Sequence, residues 1–250
     1  MRGKICTGKS PKNRNCSENQ STNQLIDNIL NILFEDYYLL IVDKPADLSS
    51  ESGKARHPSA EDWALQYFTH SLMQNSTSKR LKVTPFLRAA HRLDRVASGV
   101  LVFAKTKAAL TGMMQQFEQH ETEKIYRAAV SKTPPAASGT LNNWLKKDAE
   151  GKKAQIFDRT ERDSLACALE YKVLEQKNTG TLLEIKLLTG RYHQIRAQLA
   201  HIGCPIAGDV LYGGKSWREN AIKLHAQRLT FKHPKTGVEM SIEAPVPEDW

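Results

Sequence analysis

The chain has 250 residues, a hydrophobic content of 40% and a formal net charge of +9. This composition suffices for a sizeable core, and the positive charge favours a polyanionic partner. No apolar run approaches the roughly 20 residues of a membrane span, and the N-terminus lacks the apolar stretch of a signal peptide. The four cysteines are scattered and show no C-x-x-C spacing. We therefore expect a cytoplasmic protein with neither a disulfide framework nor a zinc site.

The N-terminal residues 1–24 are polar, and their charged side chains are mostly basic. So few apolar side chains cannot compensate the entropy of ordering, and we expect a disordered tail, either solvated or in contact with a polyanion. Residues 25–250 are predicted to form a single domain. Its first strand lies within 34–45 and is stopped by Pro45. A helix is predicted over 61–72, with Trp63, Leu65, Phe68 and Leu72 available for packing.

The run from His91 to Lys105 is the most distinctive part of the chain. It places Asp94 between Arg92 and Arg95, ahead of the turn signal Ser98-Gly99 and an apolar strand over 100–104. A carboxylate held by cations stays ionised and fixed in direction, as a nucleophile must be. The alternative interpretation is a structural salt-bridge cluster, which has the same composition.

The rest of the chain predicts further strands and two helices. Leu110, Met113, Met114 and Phe117 recur at helical spacing and predict a core stripe. Strands are predicted at 124–130, 169–174, 181–188, 223–231 and 238–244, with a loop at 133–139. A second helix follows Arg191, buries Ile195, Leu199 and Ile202, and ends at Gly203. Irregularly interspersed elements of this kind favour an α+β fold, a mixed and mostly antiparallel sheet flanked by helices.

Four features resemble, in order, the RluA family of RNA pseudouridine synthases. They are Asp43-Lys44-Pro45, the His91-Arg92-Leu93-Asp94 motif, Lys124-x-Tyr126, and Arg191-x-His193-Gln194-Ile195-Arg196. The chain departs from the family at Asp47, where glycine is usual, and at Ala97, where threonine or serine is usual. The resemblance implies a pseudouridine synthase-like fold and isomerisation of uridine in RNA to pseudouridine, with no cofactor and no metal.

The resemblance also implies roles for individual residues. Asp94 would be the nucleophile at the anomeric carbon or the base at the second carbon of the sugar; the residues leave both open. Arg196 would orient Asp94 through an ion pair, and Tyr126 would stack on the target base and help remove its carbon-5 proton. Arg92 would replace the flipped nucleotide in the RNA stack. Arg191 and Lys124 would bind phosphates or brace the loop, whereas we expect His91 to be structural.

The predicted partner is a stem-loop of ribosomal or transfer RNA, not DNA, bound by a monomer. The main alternative is a catalytically inactive RNA-binding or ribosome-assembly protein on the same fold, and retention of Asp94, Tyr126 and Arg196 argues against it. A nucleoside hydrolase would need a second acid or a positioned water. A basic helical DNA binder is disfavoured by the strand content.

Overall fold

The computed structural model describes residues 30–53, 59–74, 85–150, 152–177 and 180–250. The predicted tail over 1–24 and the start of the domain near Leu25 lie outside these residues. Three α-helices are described: α1 (Ala60–Gln74), α2 (Lys107–Glu118) and α3 (Gln194–His201), with a 3₁₀ turn at Val210–Tyr212. None of them is long and apolar enough to cross a membrane, within the part of the chain that the structure describes.

Eleven strands of the described residues form one sheet. They are β1 (Asn31–Glu35), β2 (Leu39–Lys44), β3 (Arg88–Ala89), β4 (Ser98–Ala104), β5 (Glu123–Val130), β6 (Ser138–Lys147), β7 (Ala154–Phe157), β8 (Leu165–Lys177), β9 (Gly180–Leu187), β10 (Leu224–Lys232) and β11 (Glu239–Glu243). Their order is β1-β2-β4-β10-β5-β9-β8-β6-β7, with β3 paired to β4 and β11 to β10. Of these pairs β4–β10 is parallel and the others are antiparallel. The predicted α+β class with a mostly antiparallel sheet is therefore confirmed.

Helices α1 and α2 cover opposite faces of β2 and β4. Successive strand residues point to opposite faces, so an uninterrupted apolar strand is buried on both sides. Leu39 and Ile41 of β2 pack with Met113 of α2, whereas Leu40 and Val42 belong to the cluster beneath α1. This explains why β2 and β4 are recognisable as apolar runs.

The predicted core stripe of α2 is wrong at one position. Met113 is fully buried and Leu110 and Phe117 pack against the same cluster, but Met114 is 54% exposed. Met114, at position i+4 of the stripe, lies beyond the edge of the contact between α2 and the sheet. A periodic pattern shows which residues share a helix face but not how wide the covered part of that face is.

Helix α3 lies against β5, β8 and β9, with Leu199 and Ile195 in their common core. It ends as the sequence predicts. Gly203 has a φ of 76°, and the amides of Gly203 and Cys204 donate to the carbonyls of Ala200 and Leu199. This pair of bonds closes the last turn. The packing turns the first turn of α3, which carries Arg196, towards the loop before β4.

Candidate active site

Asp94 lies in the loop between β3 and β4, and a buried lysine at the end of β2 holds that loop. The Lys44 ammonium donates to the carbonyl oxygens of Pro45 at 2.7 Å, Leu48 at 2.8 Å and Ala97 at 2.6 Å. These three short contacts match the three protons of an ammonium, and a fourth carbonyl, that of Arg95, lies 3.4 Å away. Burial lowers the pKa of Lys44 to about 7, and the charge of Asp94 opposes that shift. Lys44 thus ties the end of β2 to the end of the Asp94 loop.

Two further contacts fix the ends of the loop. Ser50 Oγ lies 2.9 Å from both the amide and the carbonyl oxygen of Leu93. On the other side, Gly99 has a φ of 115°, and a Cβ there would lie 2.3 Å from the Ala226 carbonyl oxygen on β10. Glycine is therefore required because two backbones meet, besides its predicted place in a turn. Asp94 is presented by a rigid segment.

Arg196 connects Asp94 to a second, buried carboxylate. Its Nη1 donates to Asp94 Oδ2 at 2.9 Å, while Nε and Nη2 donate to the two oxygens of Asp209 at 2.7 and 2.8 Å. The paired bonds to Asp209 fix the plane of the guanidinium. Burial by itself lowers the pKa of Arg196, but the bonds and charges of Asp209 and Asp94 raise it above its ordinary value. The ion pair predicted between Arg196 and Asp94 is present, and an exposed Arg196 is ruled out.

Asp94 opens onto a cleft of about 1040 Å³. Oδ2 is held by Arg196, whereas Oδ1 accepts no hydrogen bond from any residue in the described ranges. Tyr126 lines the same cleft from β5, on the face opposite the buried Ile125. Burial and the charge of Asp94 raise the pKa of Tyr126, so its hydroxyl keeps its proton. The cleft therefore contains an aromatic ring and one carboxylate oxygen that receives no hydrogen bond from the described part of the chain.

Two aromatic rings enclose His193 at the start of α3. The His193 ring stacks on Tyr192 with a centroid distance of 3.9 Å, and its Nδ1 lies 3.1 Å from the Tyr212 hydroxyl. Its Nε2 lies 3.8 Å from Asp94 Oδ2. Burial lowers the pKa of His193, which keeps the imidazole neutral near pH 7. A neutral imidazole therefore faces the same oxygen that Arg196 holds.

The three residues predicted to bind RNA also line this cleft. The Arg92 side chain is 72% exposed, and its Nη1 lies 3.7 Å from Glu51 Oε2. Arg191 Nε donates to the Ala166 carbonyl at 3.3 Å, which braces the approach to α3. Lys124 is half-buried, and burial lowers its pKa. The structure thus brings all three to the cleft, while their roles toward RNA stay predictions.

His91 is a structural residue, as expected. Its Nε2 accepts a hydrogen bond from the Val102 amide at 3.2 Å, and its ring lies 5.0 Å from that of Phe117. Burial and the charge of Lys124 lower the pKa of His91 to about 3. The imidazole is therefore a neutral acceptor that joins the His91 segment to β4.

The two departures from the family pattern leave the loops intact. Asp47 adopts a φ of 63°, a left-handed conformation that aspartate tolerates better than most residues. Its carboxylate lies 3.4 Å from Arg95 Nη1 and 3.4 Å from the Asn220 amide. Ala97 is buried, and its amide and carbonyl bond to Asp94 and Lys44. Backbone contacts therefore hold the turn without a hydroxyl at this position.

Sequence reasoning overlooked several residues that build this site. The Asp43-Lys44-Pro45 motif predicts only a strand for Lys44, and the sequence patterns around Asp209, Tyr212 and His193 indicate no role for these residues. Asp209 follows a glycine in a turn-rich segment, and nothing in that pattern indicates that its side chain is 1% exposed. No group of three or more His, Cys, Asp or Glu side chains suited to hold a metal ion occurs among the described residues.

Comparisons with known proteins give the class to which this fold, with the Arg196-bound carboxylate of Asp94 in an open cleft, belongs. A solved structure, Human RNA Pseudouridylate Synthase Domain Containing 4, matches the fold with a TM-score of 0.72 at 22% identity, over 92% of this chain and 94% of that one. A family model described as RNA pseudouridylate synthase matches residues 38–201. The chain belongs to the RluA family of RNA pseudouridine synthases, as the sequence motifs predict.

Two relatives show how far the similarity extends. An uncharacterized RNA pseudouridine synthase of Chlorobaculum parvum is 32% identical over 242 residues, covering 88% of this chain and 72% of the relative. Ribosomal large subunit pseudouridine synthase D of Xanthomonas campestris pv. campestris is 33% identical over 245 residues, covering 88% of this chain and 67% of the relative. The protein is thus an enzyme that isomerises uridine in RNA.

Proposed function

We propose that this enzyme converts a specific uridine of large-subunit ribosomal RNA to pseudouridine. The large-subunit substrate is supported by the relative named for it, at 33% identity over most of the chain. The net charge of +9 suits a polyanionic substrate. A stem-loop of transfer RNA is the competing substrate, and the experiment below separates the two.

We propose Asp94 as the catalytic carboxylate. The observation that carries this role is the unequal environment of its two oxygens: Oδ2 accepts from the buried Arg196 at 2.9 Å, and Oδ1 is left facing the cleft without a donor from the described residues. A nucleophile needs one oxygen unencumbered and a fixed direction of approach. Attack on the anomeric carbon and proton removal at the second carbon of the sugar both use this oxygen.

The isomerisation needs little else from the protein. The bond from the anomeric carbon to N1 of uracil breaks, the base rotates, and a bond to carbon 5 forms. The proton on carbon 5 leaves and N1 ends protonated, so no atom is gained or lost apart from proton exchange. We propose that Tyr126 stacks on the uracil during rotation and that its hydroxyl, which keeps its proton, assists removal of the carbon-5 proton as a hydrogen-bonding group and not as a phenolate base. The retained base explains why one carboxylate suffices, whereas glycoside hydrolysis uses two.

We propose that the rim of the cleft binds the RNA backbone and that Arg92 fills the space left by the flipped nucleotide. The Arg92 side chain is 72% exposed, and its contact with Glu51 is long. Arg191 is exposed and Lys124 is half-buried in the lining of the cleft, where both would contact phosphate or ribose oxygens. We propose that the enzyme acts as a cytoplasmic monomer.

The test is tritium release from [5-³H]uridine-labelled transcripts of large-subunit ribosomal RNA and of transfer RNA, followed by mapping of the modified uridine. We expect release from the ribosomal transcript at one site. Asp94→Asn should abolish release while RNA affinity changes by less than about tenfold, or 1.4 kcal/mol. Asp158→Asn alters an exposed carboxylate outside the cleft and serves as the matched control. Release from transfer RNA alone would refute the ribosomal substrate, and turnover by Asp94→Asn within about tenfold of wild type would refute the role of Asp94.

A further inference from the structure

His193 departs from two local preferences at once. It is the N-cap residue of α3, a position that favours serine, threonine, aspartate or asparagine, and its side chain makes no capping bond. Its backbone is left-handed, with φ 52° and ψ 24°. The Gln194 side chain orders the segment before the helix, because its Oε1 accepts from the Arg191 amide at 3.0 Å. Strain of this kind persists where the surroundings hold a side chain for another purpose.

The hydrogen bonds around Tyr212 determine which imidazole nitrogen carries the proton. The Ala154 amide donates to the Tyr212 hydroxyl oxygen at 2.7 Å, so the hydroxyl proton is available for His193 Nδ1 at 3.1 Å. Burial raises the pKa of Tyr212 to about 12, so that proton is retained. His193 Nδ1 then accepts, and the proton of the neutral ring is on Nε2. The opposite tautomer would turn a nitrogen lone pair towards the Asp94 carboxylate.

We propose that His193 is a positioning residue for Asp94, donating from Nε2 to Oδ2 in the reacting complex. This proposal rests on Asp94 being the reacting carboxylate. In the present structure the two atoms are 3.8 Å apart and both side chains are mostly buried. Such contacts are often long without substrate and shorten when it binds. Two donors on Oδ2, from Arg196 and His193, leave Oδ1 as the oxygen directed at the sugar.

The position of His193 between two rings explains how it keeps this orientation. Tyr192 stacks on one side, and Tyr212 meets the imidazole edge-on with centroids 5.8 Å apart. Tyr212 also lies beneath the Arg196 guanidinium, 5.2 Å from its ring centre. One tyrosine therefore supports both groups that face Asp94 Oδ2. Tyr212 is joined in turn to β7 through Ala154.

The pH dependence separates this role from simple packing. The charged groups facing His193 are Asp94, Arg196, Asp209 and Lys147, and its neighbouring rings are Tyr192 and Tyr212. Burial outweighs the two carboxylates and lowers the pKa of His193, so its protonation lies below the ordinary value of 6.5. Protonation puts a hydrogen on Nδ1, which removes the acceptor for Tyr212, and it places a positive charge 3.8 Å from Asp94 Oδ2, which lowers the basicity of that carboxylate. Turnover in the wild type should therefore decline below pH 6.5.

The experiment compares His193→Asn with His193→Gln in the tritium-release assay on ribosomal RNA. Asparagine places an amide near Nδ1 and keeps an acceptor for Tyr212, but it has nothing at the Nε2 position. Glutamine reaches that position and can donate to Asp94. We expect kcat to fall about 30-fold in His193→Asn with KM within about twofold, and kcat of His193→Gln to stay within about fivefold of wild type. The decline below pH 6.5 should disappear in His193→Gln.

Equal kcat values for the two variants, or wild-type turnover by His193→Asn, would overturn the proposal. If His193→Asn fails to fold, Tyr212→Phe provides the second test, because it keeps the ring and removes only the hydroxyl. Nδ1 can then be protonated without losing a bond, so the acid decline should move to higher pH; an unmoved decline contradicts the proposed tautomer. Wild-type turnover measured in parallel separates a failure here from a failure of the proposed function.

Discussion

Replacement of Arg196 by methionine should affect folding and catalysis through two different carboxylates. Arg196 makes two bonds to Asp209, whose side chain is 1% exposed, and one to Asp94, whose side chain is 25% exposed. Methionine matches the length of the arginine stem but donates no hydrogen bond. Asp209 would then be a buried charge without a partner, whereas Asp94 could still be solvated from the cleft.

The exposed fractions of the Asp209 and Asp94 side chains determine how much stability is lost with each bond. Removing one partner of a buried ion pair costs about 3–5 kcal/mol, because the remaining charge is uncompensated. We therefore expect Arg196→Met to lower the free energy of unfolding by about 3–5 kcal/mol. Asp94→Asn loses one partly exposed bond and should cost about 1 kcal/mol or less. Turnover of folded Arg196→Met should fall by about 100-fold, equivalent to about 2.7 kcal/mol, because Asp94 is no longer oriented.

Urea denaturation and tritium release on the same preparations measure both effects. The double variant Arg196→Met/Asp209→Asn removes the uncompensated charge, and should recover about 1 kcal/mol or more of stability without recovering turnover. The difference in stability between the single and the double variant measures the cost of the uncompensated Asp209 charge, because Asp94 is unchanged in both variants. An Arg196→Met protein within 1 kcal/mol of wild-type stability, or a double variant less stable than the single one, would contradict this account of the ion pair.

Three further predictions concern the loop and the cleft. Gly99→Ala should lower the free energy of unfolding by about 3 kcal/mol or more in urea denaturation, because its methyl would lie 2.3 Å from a carbonyl oxygen of β10. Gly203→Ala is the control, because Gly203 also has a positive φ, 76°, but no atom near its Cβ position; it should cost about 1 kcal/mol. Arg92→Ala should slow single turnover while the slope of log affinity against log salt stays the same, whereas loss of a phosphate contact would reduce that slope by about 0.7–0.9. Burial lowers the pKa of His91 from 6.5 in the unfolded chain to about 3 in the folded protein. The stability contributed by the neutral imidazole is therefore complete above pH 6.5 and is lost as the pH falls towards 3. Each pH unit in that window removes up to about 1.4 kcal/mol, and His91→Gln should flatten the decline measured by urea denaturation at several pH values.

The strands that the sequence predicts are those with an unambiguous pattern of buried side chains. β2 and β4 are buried on both faces and appear as apolar runs, and β5 shows its alternation. No strand is predicted over β3, β6 or β7, and the strand predicted over 34–45 covers the end of β1 and all of β2. β6 contains Asn142 and Asn143, which are unfavourable in strands, and most of its side chains are exposed or half-buried. Such strands form because their neighbours offer an unpaired edge, which is a property of the assembled sheet.

The sequence alone identified Asp94, Tyr126 and Arg196 as candidates for the proposed site, because each lies in a short contiguous motif that resembles the RluA family. The tertiary structure alone decided what surrounds them. Arg196 meets Asp94 across 102 positions of sequence, and the buried carboxylate of Asp209 is turned towards that same arginine. The proton on His193 depends on Tyr212, and the Asp94 loop depends on Lys44. Hydrogen bonds and burial depend on distances in space, and these are set only when helix α3 packs against the sheet beside the Asp94 loop.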